Sequence, residues 1–209
     1  MTRKYVFDFN IETINNVMLI YSYVKENAKN MDASILLREQ YIMILSAFDT
    51  YLHGVVEDHI VELIFNTANN KCFNKFDVSL DFIKKILNES DADNKKTLLR
   101  NHVKERLSKC SFQAPSNVED AMNYLEIKHA WKEIGTIMNQ SAKDVRDTLS
   151  LCVRRRNKIA HESDWNPVKM DYDDIEKSDV DYCRDFIVKI VSAIDRILTQ
   201  NQSQSCPKN

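Results

Sequence analysis

A guanidinium, an amide and an imidazole stand close together in the segment Arg156-Asn157-Lys158-Ile159-Ala160-His161. Hydrophobic periodicity predicts a helix over Lys143–His161. Projected at about 100° per residue, Val145, Leu149, Cys152, Ile159 and Ala160 gather on one side, with Arg156 in their midst. A charged group there is costly unless an anion or carbonyl receives it, or the side chain snorkels to solvent. Two readings stay open for Arg156: a structural ion pair with an acid on a neighbouring helix, or a guanidinium held at an interface to bind an anion. Arg154 points the opposite way and Arg155 sits on a flank, both of them positions for solvated charge. His161 closes the same helix, five residues on and about 140° around from Arg156. A lone histidine there complements the helix dipole. The two side chains meet on one ligand only if the last turn unwinds or a second copy of the chain completes the site.

Asp49 is a second charge on an apolar face, on the Leu45–Leu52–Val56 side of a predicted helix with His53 one turn on. A buried carboxylate requires a cationic partner. Arg156 is one candidate, which would make Asp49 its orienting acid; His53 and Arg38 are equally good structural partners. Other chemistries find less support. His59, His102 and His129 have no cysteine or carboxylate at ligand spacing, so no zinc site is expected. Gly54 and Gly135 are the only glycines, which rules out a glycine-rich phosphate loop.

The elements that must position these groups follow from composition. Glycine and proline together supply five of 209 residues. A sandwich, a barrel or a wound sheet needs far more turn-makers, so the chain is read as an all-α bundle. Helices are predicted over 11–29, 33–65, 79–88, 94–109, 117–138 and 143–161, with a last one starting near Ser178. Asn66–Val78 reads as a connector, the packing of 66–140 stays open, and 200–209 reads as a disordered polar tail behind a single domain over 1–199. Pro167 must end the helix that carries the motif. Five scattered cysteines without a C-x-x-C pair, no apolar leader and no spanning run together predict a cytoplasmic chain with reduced thiols and no membrane partner.

The stretch Arg154-Arg155-Arg156-Asn157-Lys158-Ile159-Ala160-His161-Glu162-Ser163-Asp164, with Ala47-Phe48-Asp49-Thr50-Tyr51-Leu52-His53 upstream, resembles the RiboL-PSP branch of the HEPN-domain ribonucleases. The resemblance covers roughly 30–65 and 141–199, leaving 66–140 as a possible elaboration of a HEPN-like bundle. It implies an endoribonuclease that uses no metal and no cofactor, with motifs from two subunits meeting across a homodimer interface. In that setting Arg156 would stabilise the phosphate, His161 would act as acid or base and Asn157 would orient either one. The implied role is that of a toxin or an anti-phage defence effector, with an antitoxin or defence-system partner. Some toxins of this kind are silenced by modification of a tyrosine two residues after the histidine, where this chain has Ser163. A non-catalytic helical module that binds RNA, nucleotide or a partner protein is the alternative.

Local charge fits an RNA partner. Six basic and two acidic residues lie between Ser141 and His161, a balance of +4 in a chain whose net charge is −2. Lys143, Arg146, Arg154, Arg155 and Lys158 are therefore the expected RNA-binding residues. Trp165, beside the motif, either packs against a helix or stacks a base.

Overall fold

The computed structural model describes residues 2–65 and 78–205. Along them run α1 (Arg3–Asn27), α2 (Ser34–Phe65), α3 (Leu80–Asn88), α4 (Ala92–Leu107), α5 (Pro115–Tyr124), α6 (Ala130–Met138) and α7 (Ala142–Glu162). A two-strand hairpin, β1 (Trp165–Asn166) and β2 (Asp171–Tyr172), then precedes α8 (Lys177–Ser205). The fold is the all-α bundle that the scarcity of glycine and proline implies.

The centre of the bundle is α2, which touches α1, α4, α5, α7 and α8. Its buried residues, among them Leu37, Ile44, Leu45, Phe48, Tyr51 and Val56, lie all around its axis, the pattern of a helix enclosed by others. Against it α1 lays Phe7, Ile11, Ile14, Met18 and Tyr21 at helical spacing. That helix starts eight residues earlier than periodicity predicts, because the Thr2 hydroxyl accepts the Tyr5 N–H and caps it. The clean stripe of α8, from Val180 through Ile187, Ile190 and Ile194 to Ile197, closes the core.

Residues 66–77, including most of the predicted connector, lie outside the described residues. Beyond them α4, α5 and α6 fold back onto the frame, α4 and α5 on α2, α6 on α7 and α8. The single helix predicted over 117–138 is two. The chain turns at 125–129, with Glu126 and His129 at positive φ and the Ile127 N–H returned to the Met122 carbonyl. Leu125 and Ile127 are both buried by this turn, and that burial holds two non-glycine residues in the left-handed region. The polar tail also differs from expectation at its start, since α8 continues to Ser205.

The helix that carries the motif is fixed at both ends. Ser141 caps α7, accepting the Asp144 N–H at 3.0 Å and donating its hydroxyl to Asp144 Oδ2 at 2.7 Å. Just before it, Gln140 donates to the Gly135 carbonyl, an approach so close that a Cβ on Gly135 would lie 2.7 Å from the Gln140 oxygen. At the far end Ser163 adopts the left-handed conformation and the Asp164 N–H returns to the Lys158 carbonyl. Where Pro167 predicts only a break, the chain makes a hairpin pairing Trp165 with Tyr172, its turn held by Asn166 Oδ1 accepting from the N–H groups of Val168 and Lys169.

Candidate active site

Arg156 is half-buried on α7, and its only hydrogen bond among the described residues runs from Nη1 to Asn157 Oδ1 at 3.1 Å. Its Nε is buried without an acceptor, and no carboxylate among the described residues lies within ion-pair distance. An unmet guanidinium donor in the interior opposes folding by about 1–3 kcal/mol. The structural ion pair, one of the two readings open for Arg156, is absent among the described residues, and none of them offsets that cost.

His161 is exposed in the last turn of α7. The helix stays regular through Glu162, so its final turn does not unwind and the backbone positions of Arg156 and His161 remain about 140° apart. Asn157 narrows the gap. It stands one turn before His161 on the same exposed face, and by holding Nη1 it draws the Arg156 head toward that face.

The five basic residues expected to face RNA fall into two groups. Lys143, Arg146 and Arg154 are exposed and have no carboxylate partner among the described residues. Arg155 and Lys158 are committed within the chain to nearby acids. Arg155 Nη2 bonds Asp164 Oδ2 at 2.8 Å and the Asp174 carbonyl at 2.9 Å, and its Nη1 lies 3.6 Å from Asp173. Lys158 Nζ bonds Asp173 as well. That contact, with help from Asn166 and the Arg155 charge, pushes the Asp173 carboxyl down to about 2.

Asp164 joins this network to the rest of the bundle. It is fully buried, and its Oδ2 also accepts from Arg38 Nε at 3.0 Å. Arg38 in turn bonds the Asp173 carbonyl and the Ser34 hydroxyl, and stands over the Tyr172 ring at 5.2 Å. The end of α7, the hairpin and the start of α2 are thereby locked together at Asp164, three residues past His161. Nothing in the sequence separates Asp164 from its neighbouring acids, because its partner Arg38 lies 126 positions away.

Asp49 does not orient Arg156. Its Oδ1 accepts the Phe112 N–H at 2.6 Å and lies 3.6 Å from His53 Nε2, while the His53 ring packs on Phe112. This carboxylate anchors the loop between α4 and α5. Trp165 stands about two-fifths exposed, edge-on to Tyr172 at 5.8 Å between ring centres. Among the described residues no group of three or more His, Cys, Asp or Glu side chains is placed to hold a metal ion. No helix among them is long and apolar enough to cross a membrane.

The family model described as RiboL-PSP-HEPN matches residues 8–200, running through 66–140 as well as the helices of the frame. No curated protein and no solved structure matches the chain.

Proposed function

Since the chain belongs to the RiboL-PSP-HEPN family, a family of HEPN domains, we propose that it is a metal-independent endoribonuclease. The observation that carries this reading is the Arg156 guanidinium, without an acid partner among the described residues and tied through Asn157 to the helix face of an exposed His161. Nη2 and the second hydrogen of Nη1 have no partner among the described residues, and a phosphodiester supplies acceptor oxygens in the geometry a guanidinium fits.

The reaction uses these groups in complementary ways. The ribose 2′-oxygen attacks the adjacent phosphorus, its proton passes to a base, and the bond to the 5′-oxygen breaks as that oxygen gains a proton. Imidazole exchanges protons near neutral pH, which suits His161 to one or both transfers. Arg156 stabilises the charge that builds on the non-bridging oxygens. Asn157 keeps the guanidinium at the edge of the face rather than folded along the core. The products are a 2′,3′-cyclic phosphate, or the 3′-phosphate derived from it, and a 5′-hydroxyl.

The backbone separation of Arg156 and His161 on an unbroken helix supports completion of the site by a second copy, so the working form is read as a homodimer. A cytoplasmic toxin or defence effector, restrained by an antitoxin or defence-system partner, is the biological role that fits such an activity. Product ends and subunit exchange test the chemistry and the assembly together. Cyclic-phosphate and 5′-hydroxyl ends are expected, from a species with twice the chain mass. Mixing Arg156→Ala with His161→Ala chains restores part of the activity if one subunit supplies the arginine and the other the histidine. A 3′-hydroxyl product contradicts the chemistry, and full activity in a monomer contradicts the dimer.

A further inference from the structure

The three uncommitted cations of α7 share one face. Taking Lys143 as zero and about 100° per residue, Arg146, Ser150, Arg154, Asn157 and His161 all fall within about 60° of it. The committed pair sits elsewhere, Lys158 at the edge of this face and Arg155 further round. From His161 to Lys143 the row extends about 27 Å along the helix axis.

Its far end opens into a cleft of about 440 Å³, lined by Pro115, Ala142, Lys143, Arg146, Asp147 and Ser150. Pro115 begins α5, whose cap residue Ala114 brings no side-chain acceptor to the first turn. A phosphate oxygen is the type of acceptor that two neighbouring cations without a carboxylate partner lack. Asp147 on the rim opposes an anion, leaving the cleft one net positive charge.

We infer that this cleft is a second phosphate site, which holds an RNA strand at a distance from the bond to be cut, with α7 as the track between the two. A row of cations one helix face wide follows one backbone rather than the two of a duplex, so the ligand class is single-stranded RNA. At roughly 3.4 Å per stacked nucleotide, the track spans about eight nucleotides, and fewer if the strand is extended. Short oligonucleotides reach only the His161 end. Longer ones gain the cleft, and with it affinity and residence. The scissile end of this track rests on the ribonuclease reading; the cleft itself does not.

The test uses the full-length His161→Ala chain as a non-cutting binder, with labelled single-stranded RNAs of about 4 and about 12 nucleotides in EDTA at several salt concentrations. The longer RNA is expected to bind at least about tenfold more tightly. Adding Lys143→Ala and Arg146→Ala erases that advantage and lowers the slope of log K against log salt by about 1.4. Asp147→Asn strengthens binding of the longer RNA only, and Lys104→Ala on α4 changes nothing. If the length advantage survives the double substitution, the second site is overturned while the ribonuclease reading stands. If the length advantage is present and erased as expected, yet the wild-type chain cuts no RNA, the second site stands and the ribonuclease reading falls. If neither RNA binds, both readings fall.

Discussion

Arg156 donates Nη1 to Asn157 Oδ1 at 3.1 Å, and Asn157 precedes His161 by one helical turn. A guanidinium that belongs by position to the apolar side of α7 is thus turned toward the side where the imidazole stands. Arg156 has no acid partner among the described residues, so the arrangement leaves its charge available to a ligand. The elements around it hold the end of the helix still. Ser163 and Asp164 terminate α7, and Arg38, Arg155, Lys158 and Asp173 fasten the hairpin behind it.

Asp164 is the residue on which that fastening depends. With its carboxylate fully buried between Arg38 and Arg155, Asp164→Asn leaves Arg38 without its counter-charge and Arg155 with Asp173 alone, 3.6 Å away. A loss of about 3–5 kcal/mol is expected in urea unfolding, with cleavage falling alongside as the end of α7 loosens. A loss under about 1 kcal/mol would show that the two arginines stay fully solvated.

Asp49→Asn separates position from role. The amide keeps an oxygen for the Phe112 N–H, so a cost below about 1.5 kcal/mol and an RNA cleavage rate within about twofold of wild type are expected. A hundredfold fall in the cleavage rate would restore Asp49 to the catalytic apparatus.

Asp173 gives the network a pH dependence of known sign. Its carboxyl is lowered from the ordinary 3.8 to about 2, chiefly by the hydrogen bond from Lys158. The unfolded chain therefore binds more protons than the folded one between these values, and stability declines as pH falls from about 4 through 2. Melting curves of wild type and Asp173→Asn should differ at pH 7 and converge toward pH 2. A gap that persists at pH 2 would assign the effect to another contact.

Gly135→Ala tests how α7 is started. A Cβ there meets the backbone oxygen of Gln140 at 2.7 Å and the backbone nitrogen of Ala142 at 3.1 Å, so the turn into α7 must shift. The overpacking cost, about 1–3 kcal/mol, is partly offset by the better helix propensity of alanine, leaving a net loss near 1 kcal/mol in chemical denaturation. Net stabilisation would mean that the turn gives way freely.

The helices were largely legible in the sequence, and so was the place of Arg156, Asn157 and His161 on α7, because both are local. The stripe of α8 and the span of α2 follow from spacing alone. The turn at 125–129 was not legible, since no glycine or proline marks it and Glu126 and His129 take left-handed backbone only under the pull of buried Leu125 and Ile127. Partners were the least legible. Asp49 and Arg156 both sit on apolar faces, and pairing them satisfied each; the fold instead brings Phe112 to one and leaves the other without an acid among the described residues. Arg155 and Lys158 read as RNA-binding residues because the acids that pair with them, Asp164 and Asp173, lie beyond the helix, on either side of a hairpin held by Arg38, far away in sequence.

The central claim is that Arg156 and His161 together cut a phosphodiester without a metal. The direct measurement is the single-turnover cleavage rate of one RNA by wild type, Arg156→Ala and His161→Ala in excess EDTA. Full wild-type activity in chelator is expected, with each substitution lowering the rate by about a hundredfold or more while the helical spectrum and melting midpoint hold. Cleavage abolished by EDTA, or unchanged in both variants, would contradict it.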